Sequence, residues 1–294
     1  MTHLLVSLLE DLDMRTHIVP LAVAFLVCGP STTHPQNSAS EITVTILYDN
    51  TVFTKGTRAE WGFSCFIQSA GDTILFDGGT VDTILLRNAH ELGVDLSTTK
   101  RMFISHDHLD HAGGLRGALE AAPGVPVYVG AHFSPSVVDS IALNRGRPVR
   151  VTEPIEISRG FFSAGELPSS RGTYEQALVL ETDSGLVIVV GCSHPGIVEI
   201  LQRVKRDFKK DIFAVFGGFH LLNLTQPQVG AVIQGLRNLG VQKCGPTHCT
   251  GEGPIQWISQ AYGSDFLRMG VGQVLRFSAP KVSGSVQTED DKPE

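Results

Sequence analysis

Short apolar blocks punctuated by turn residues open the central part of the chain. Blocks of this length, bounded by glycine, asparagine or aspartate, predict strands. They fall at 42–48, 62–69 and 73–76, the last two joined through Ala70-Gly71-Asp72. Over 81–92 the apolar spacing lengthens to that of a helix, and a buried strand is expected at 101–105. Pro126 introduces a short strand at 127–129, and Asp183-Ser184-Gly185 turns a hairpin between 177–181 and 186–190. Helices and strands then alternate: helix 195–206, strand 212–216, helix 226–239, strand 241–243 and a closing strand at 273–277. Each half begins with hairpins and ends in βα units, which predicts an α/β protein whose two sheets are sandwiched between helices.

The flanks read differently. Residues 18–28 form an apolar run of signal-peptide length, and initiation at Met14 would put a short basic start before it. Residues 14–30 are therefore expected to be an export signal, which makes the protein periplasmic or secreted; without such a signal it is cytoplasmic. Cys28 sits where a lipid-anchored cysteine would sit, although Val27 is larger than such sites prefer. Residues 29–41 are polar and proline-bearing, so 1–41 reads as signal segment plus linker. The acidic stretch 279–294 reads as a disordered tail, leaving 42–278 as the folded domain.

Composition narrows the function. The 294 residues carry a net charge of −7 with no basic run, which disfavours nucleic-acid partners because phosphate binding needs concentrated Lys and Arg. No apolar stretch reaches the roughly 20 residues of a membrane-spanning helix. Five cysteines, widely scattered, are too few for a disulfide scaffold. A small-molecule substrate is the expected partner; the oligomeric state is open.

The chemistry concentrates in Ile104-Ser105-His106-Asp107-His108-Leu109-Asp110-His111-Ala112-Gly113-Gly114. Its pattern, His-x-His-x-Asp-His at the end of an apolar strand, supplies the imidazole and carboxylate ligands that zinc, manganese and iron accept. His106 and His108, two apart in an extended segment, project to the same side. Asp110 and His111 lie across the turn into the next helix, where they can hold a second ion. His220 follows the 212–216 strand through Gly217-Gly218 and can be brought over the site. It reads first as a substrate-facing catalytic residue, with ligation and a structural role as alternatives. His132 belongs to no constellation visible in the sequence.

This motif, following Leu75-Phe76-Asp77-Gly78-Gly79, resembles the metallo-β-lactamase superfamily. Further segments carry the resemblance: Glu60-Trp61-Gly62-Phe63-Ser64, Gly191-Cys192-Ser193-His194-Pro195-Gly196, Gly217-Gly218-Phe219-His220-Leu221 and Pro246-Thr247-His248-Cys249-Thr250-Gly251. Their order is similar to that of the subfamily that includes 7,8-dihydropterin-6-methyl-4-(β-D-ribofuranosyl)aminobenzene-5′-phosphate synthase and many metal-dependent hydrolases. The resemblance implies a four-layer αββα sandwich with two divalent metal ions, zinc first and manganese or iron as alternatives. It implies that His106, His108 and His194 bind one ion, and that Asp110, His111 and His248 bind the other, with Asp110 also counted as catalytic. Asp77 resembles the aspartate that accepts the free N–H of a ligand histidine. The sequence departs from the broader superfamily where Cys192 replaces a bridging aspartate and Glu175 lies near the place of a histidine. Cys192 either coordinates as a thiolate or packs as a small hydrophobe. Glu60 and Glu175 are supports of the ligands, substrate contacts or solvated carboxylates.

Two cations sharing a water lower its pKa toward neutrality and supply hydroxide, so no serine or cysteine nucleophile is required. The expected activity is hydrolysis of an ester, lactone, amide or phosphoester. Alternatives are a synthase-type transferase that joins a dihydropterin to an aminobenzene ribonucleotide, and a metal-binding sensor without turnover.

Overall fold

The strand Gly185–Val190 is apolar at every position after its glycine because both of its faces are covered. Val187 and Val189 point into one cluster of buried side chains, while Leu186, Ile188 and Val190 point into another. Alternation at a period of two sends successive side chains to opposite faces, so a strand roofed on both sides reads as a continuous apolar run. The computed structural model describes residues 41–280, and this double burial repeats in the central strands of both of its sheets.

The first half contains β1 (Glu41–Tyr48), β2 (Ser64–Ser69), β3 (Asp72–Phe76), α1 (Asp82–Glu91), β4 (Arg101–Phe103), α2 (Leu109–Ala112), α3 (Leu115–Ala121), β5 (Pro126–Gly130), α4 (Pro135–Leu143) and β6 (Arg147–Val151). The second contains β7 (Ile155–Ser158), β8 (Phe161–Pro168), β9 (Tyr174–Thr182), β10 (Gly185–Val190), α5 (Ile197–Phe208), β11 (Ile212–Gly218), α6 (Gln226–Asn238), β12 (Lys243–Thr247), α7 (Glu252–Tyr262) and the closing β13 (Val274–Ser278). One sheet has the order β13-β1-β2-β3-β4-β5-β6, the other β12-β11-β10-β9-β8-β7. Between them lie Ile42, Val44, Ile46, Phe76 and Phe103 from the first sheet and Leu178, Leu180, Val187 and Phe216 from the second. Helices α1 and α3 cover the outer face of the first sheet around Leu75, Met102 and Val127. Helix α5 covers the second through Ile197, Ile200, Leu201 and Val204, joined by Val229 and Leu236 of α6 and Ile258 of α7. The architecture is the expected αββα sandwich.

Several elements differ from the sequence reading. The strand expected at 241–243 runs instead over Lys243–Thr247, through Gly245 and Pro246, two residues that read as breakers. As the edge strand of its sheet, β12 is paired on its outer side among the described residues only by a bridge at Cys244, so proline at 246 costs it little. Strands β6, β7 and β8 and helices α4 and α7 have no counterpart in the sequence reading, whereas the helix expected after the histidine motif is present as α2 and α3. β6 is an edge strand carrying arginine at two of its five positions, which hides the alternation. β1 begins at Glu41, within the expected linker, and Ala279, within the expected tail, is buried in the core between the sheets. The signal segment, Cys28 and the rest of the tail lie outside the described residues. No helix among the described residues is long and apolar enough to cross a membrane.

Candidate metal centre

Strands β3 and β4 run parallel in one sheet, as do β10, β11 and β12 in the other. Parallel strands deliver their carboxyl ends to one edge, where loops converge on a ligand. The loop after β3 carries Asp77, the loop after β4 carries His106 and His108 and leads into α2 with Asp110 and His111, and those after β10, β11 and β12 carry Cys192 with His194, His220 and His248. Among the described residues six non-glycine positions have positive φ, and four of them, Asp77, Ser193, His220 and His248, lie in these loops. Such conformations cost free energy and persist only where the surroundings enforce them. Gly114 allows the ligand loop to close on β3: a Cβ there would sit 2.1 Å from Gly78 O.

The loops bring all six expected ligands together. Donor atoms of Asp110, His111, Cys192 and His248 lie within 4.8 Å of one another, as do those of His106, Cys192 and His194 and those of His106, His108 and Asp110. The rings of His106 and His108 are 4.7 Å apart, confirming that they share a side, and those of His108 and His194 are 4.8 Å apart. Cys192 Sγ is buried 3.2 Å from His111 Nε2, at the junction of the two groups. His220 is exposed and places its ring 4.6 Å from that of His194; it also clusters with Cys192 and Cys249.

Each buried ring is held from behind. Asp77 Oδ2 accepts from His111 Nδ1 at 2.7 Å and from Ser105 Oγ at 2.8 Å, while Ser105 Oγ lies 2.9 Å from His106 Nδ1. That relay puts the protons of both histidines on Nδ1 and leaves Nε2 facing the cluster, as a carboxylate behind a ligand histidine does. Asn50 does the same for His248: its Oδ1 accepts from Nδ1 at 3.1 Å and its Nδ2 donates to His248 O at 3.0 Å. Glu175 organises the β10 loop. Its carboxylate accepts from the backbone N–H of Cys192, Ser193 and His194, each at 2.8 Å, and lies 2.9 Å from His194 Nδ1. Trp61 donates its indole N–H to Asp110 Oδ2 at 2.9 Å and lies 4.8 Å from the His248 ring. Glu60 is turned outward: it is exposed and its carboxylate accepts the N–H of Trp61.

The donor set fits divalent cations. His106 Nε2 is buried and finds no hydrogen-bond partner among the described residues, while His248 Nε2, also buried, lies 3.2 Å from Asp110 Oδ2. Buried polar atoms are almost always paired, and an orphan in such a cluster is a lone pair aimed at something else. Burial, reinforced by the adjacent His111, holds His106 well below the usual histidine range, so its ring is neutral. Burial and the field of His248 push His111 down to about 3. Burial alone would raise Asp110, but the close approach of His248 and His111 keeps it ionised below the usual carboxylate range. Three carboxylates, Asp49, Asp77 and Glu175, are fully buried around the cluster, and none has an arginine or lysine partner among the described residues. An imidazole and carboxylate set in an acidic surround is what hard and borderline cations take.

Beside His248 opens a cleft of about 1390 Å³, walled by Phe53, Trp61, Leu222, Trp257 and Phe266 with Arg268 among them. Asn50, Ser105 and Trp61 were not assigned roles from sequence. Trp61 and Ser105 lie within segments that carry the motifs, whereas Asn50 lies in none; all three act through contacts that only the fold creates.

The sequence model of the metallo-beta-lactamase superfamily matches residues 62–210. Over 247 residues the chain is 29% identical to the 7,8-dihydropterin-6-methyl-4-(beta-D-ribofuranosyl)-aminobenzene-5'-phosphate synthase of Methanocaldococcus jannaschii, covering 69% of this chain and 84% of that protein. The solved structure of a metal-dependent hydrolase of the beta-lactamase superfamily matches with a TM-score of 0.68 and 28% identity, over 81% of this chain and 99% of that one. A diphosphatase from the PhnP family shares the fold at a TM-score of 0.58 and 16% identity, over 81% of this chain and 97% of that one. Sandwich, loop placement and sequence match agree: the chain belongs to the metallo-β-lactamase superfamily.

Proposed function

We propose that the protein is a metal-dependent hydrolase of a small-molecule ester, lactone, amide or phosphoester. The observation that carries this reading is the buried, unpartnered Nε2 atom of His106, a member of two groups of convergent ligand atoms. His106, His108 and His194 would hold one divalent ion, and Asp110, His111 and His248 another, with Cys192 Sγ reaching both. Zinc suits this mixture of nitrogen, oxygen and sulfur best; manganese and iron also accept most of it. Ions bound there would act as Lewis acids, lowering the pKa of water and polarising a carbonyl or phosphoryl oxygen.

The chain's own residues do the rest. Asp77, through Ser105, and Asn50 fix the ring tautomers, and Glu175 fixes the loop that presents Cys192 and His194. Trp61 holds Asp110 through Oδ2, the oxygen that faces His248. His220, exposed beside His194, is placed to contact substrate and to stabilise charge on the group being attacked. The cleft offers aromatic walls for the remainder of the substrate.

The test is a panel of p-nitrophenyl esters, lactones, amides and bis(p-nitrophenyl) phosphate, assayed with zinc, manganese or iron. Turnover that disappears with a chelator and returns with metal is expected. Metal uptake with no turnover on any member would contradict hydrolysis and favour a sensor. A second reading is supported by the methanogen relative, whose name is that of a synthase acting on a dihydropterin and an aminobenzene ribonucleotide. Condensation of those two substrates by a protein inert toward the panel would decide for it.

A further inference from the structure

Val52, Phe53, Trp61 and Leu222 are each between 45% and 54% exposed, and all four line the cleft beside His248. Large apolar side chains left bare together mark a binding surface, whereas scattered ones need no explanation. Trp257 joins them from α7, where its ring lies over Gly253: a Cβ there would sit 3.7 Å from Trp257 Cη2. The cleft begins at the metal centre, because its Trp61 wall donates to Asp110 and lies against the His248 ring.

One cation interrupts these walls. After α7 the chain passes along the outer side of β12, where Leu267 N donates to Cys244 O at 2.8 Å. A Cβ on Gly245 would sit 3.0 Å from Met269 Sδ and 3.1 Å from Leu267 Cβ, so both side chains turn toward β12 and the core between the sheets. Side chains alternate along an extended segment, which sends Phe266 and Arg268 the other way, into the cleft wall. Arg268 is exposed, and its guanidinium makes no hydrogen bond or ion pair among the described residues. It is the one arginine or lysine that lines the cleft among them. Of the two carboxylates in the wall, Asp49 is buried and accepts from Thr247 Oγ1 and Asn50 N, while Glu252 is exposed in the first turn of α7 and unpaired with Arg268. In a chain of net charge −7, Arg268 thus keeps its fork of donors open toward the cleft.

We propose that the cleft takes a substrate with a flat apolar body and an anionic group, a carboxylate or a phosphate, and that Arg268 binds that anion. This names the substrate class of the hydrolysis proposed above and rests on that reading. The aromatic walls hold the body, and the labile bond lies toward His248 and Asp110. A planar guanidinium pairs with either anion through two parallel N–H donors, which an ammonium cannot do.

The chain's two tryptophans, Trp61 and Trp257, both wall the cleft, so their fluorescence reports its occupancy. Zinc-loaded protein is titrated with phenylalkanoates from 3-phenylpropionate to 6-phenylhexanoate, with phenylalkyl phosphates of the same lengths and with the matching uncharged alcohols. At least one class of anion should bind about 10–100-fold more tightly than its alcohol, and the class with the larger preference identifies the group. In Arg268→Gln that preference should collapse to near parity, and Arg268→Lys should keep only part of it. On aryl esters that carry the preferred anion, Arg268→Gln should raise KM by a similar factor rather than lower kcat. A preference that survives Arg268→Gln would put the anion on the metal ions instead. That result, alcohols that bind as tightly as the anions, or no quenching by any member would overturn the proposal and leave the hydrolase reading standing. A protein inert toward every ester would defeat the hydrolase reading, while the fluorescence titration still decides what the cleft takes.

Discussion

Alanine at His106 is expected to abolish hydrolysis and to cut the bound divalent metal by half. His106 is fully buried, its Nδ1 is tied to Ser105, and its Nε2 has no other use among the described residues. It is the member shared by the two ligand groups on its side of the site, so its loss removes one ion's grip rather than loosening it. Water that ionises near pH 7 on a bound cation ionises at about 15.7 without one, which places the expected loss at several orders of magnitude. His106 takes no part in the three apolar clusters, so the fold should survive. Elemental analysis and circular dichroism on the same sample check both halves. Full activity in a variant that has lost metal would contradict the proposed chemistry.

The second large effect falls on stability. Glu175→Ala strands four donors, the N–H groups of buried Cys192 and Ser193 and the N–H and ring nitrogen of mostly buried His194. Each buried donor left without an acceptor costs about 1–3 kcal/mol, and removing the carboxylate from such a cluster should cost roughly 3–5 kcal/mol in total. Urea unfolding of the metal-free protein measures this without interference from ligand linkage. Glu175→Gln keeps one accepting oxygen and should lie between the two. An alanine variant as stable as the parent would mean that the β10 loop holds its shape without Glu175.

These two residues also show what the sequence could reveal. His106 was legible because its partners His108, Asp110 and His111 lie within five positions of it, and periodicity alone says which side of a strand they share. His194 and His248 were reached through resemblance, and the loops do bring them to the site. Glu175 was noticed only as a carboxylate near a missing histidine; that it caps three consecutive backbone N–H groups depends on β9 lying against β10. Asn50 and His248 are 198 positions apart, and nothing local marks an asparagine after a buried strand as the support of a histidine. His132 was set aside for the same reason: Glu166, 34 positions away, reaches it only through an irregularity in β8 that no composition rule predicts. The fold was readable where strands are buried on both faces, as in β10, and obscured where an edge strand carries arginine, as in β6, or Gly-Pro, as in β12.

Titration of the metal-free protein with cobalt(II), followed by absorption, tests the central claim most directly. Two equivalents per chain should bind, with a near-ultraviolet thiolate-to-cobalt band that vanishes in Cys192→Ser and persists in Cys249→Ser. A protein that takes up no cobalt, or none that His106→Ala diminishes, would show that the converging histidines do not form a metal centre.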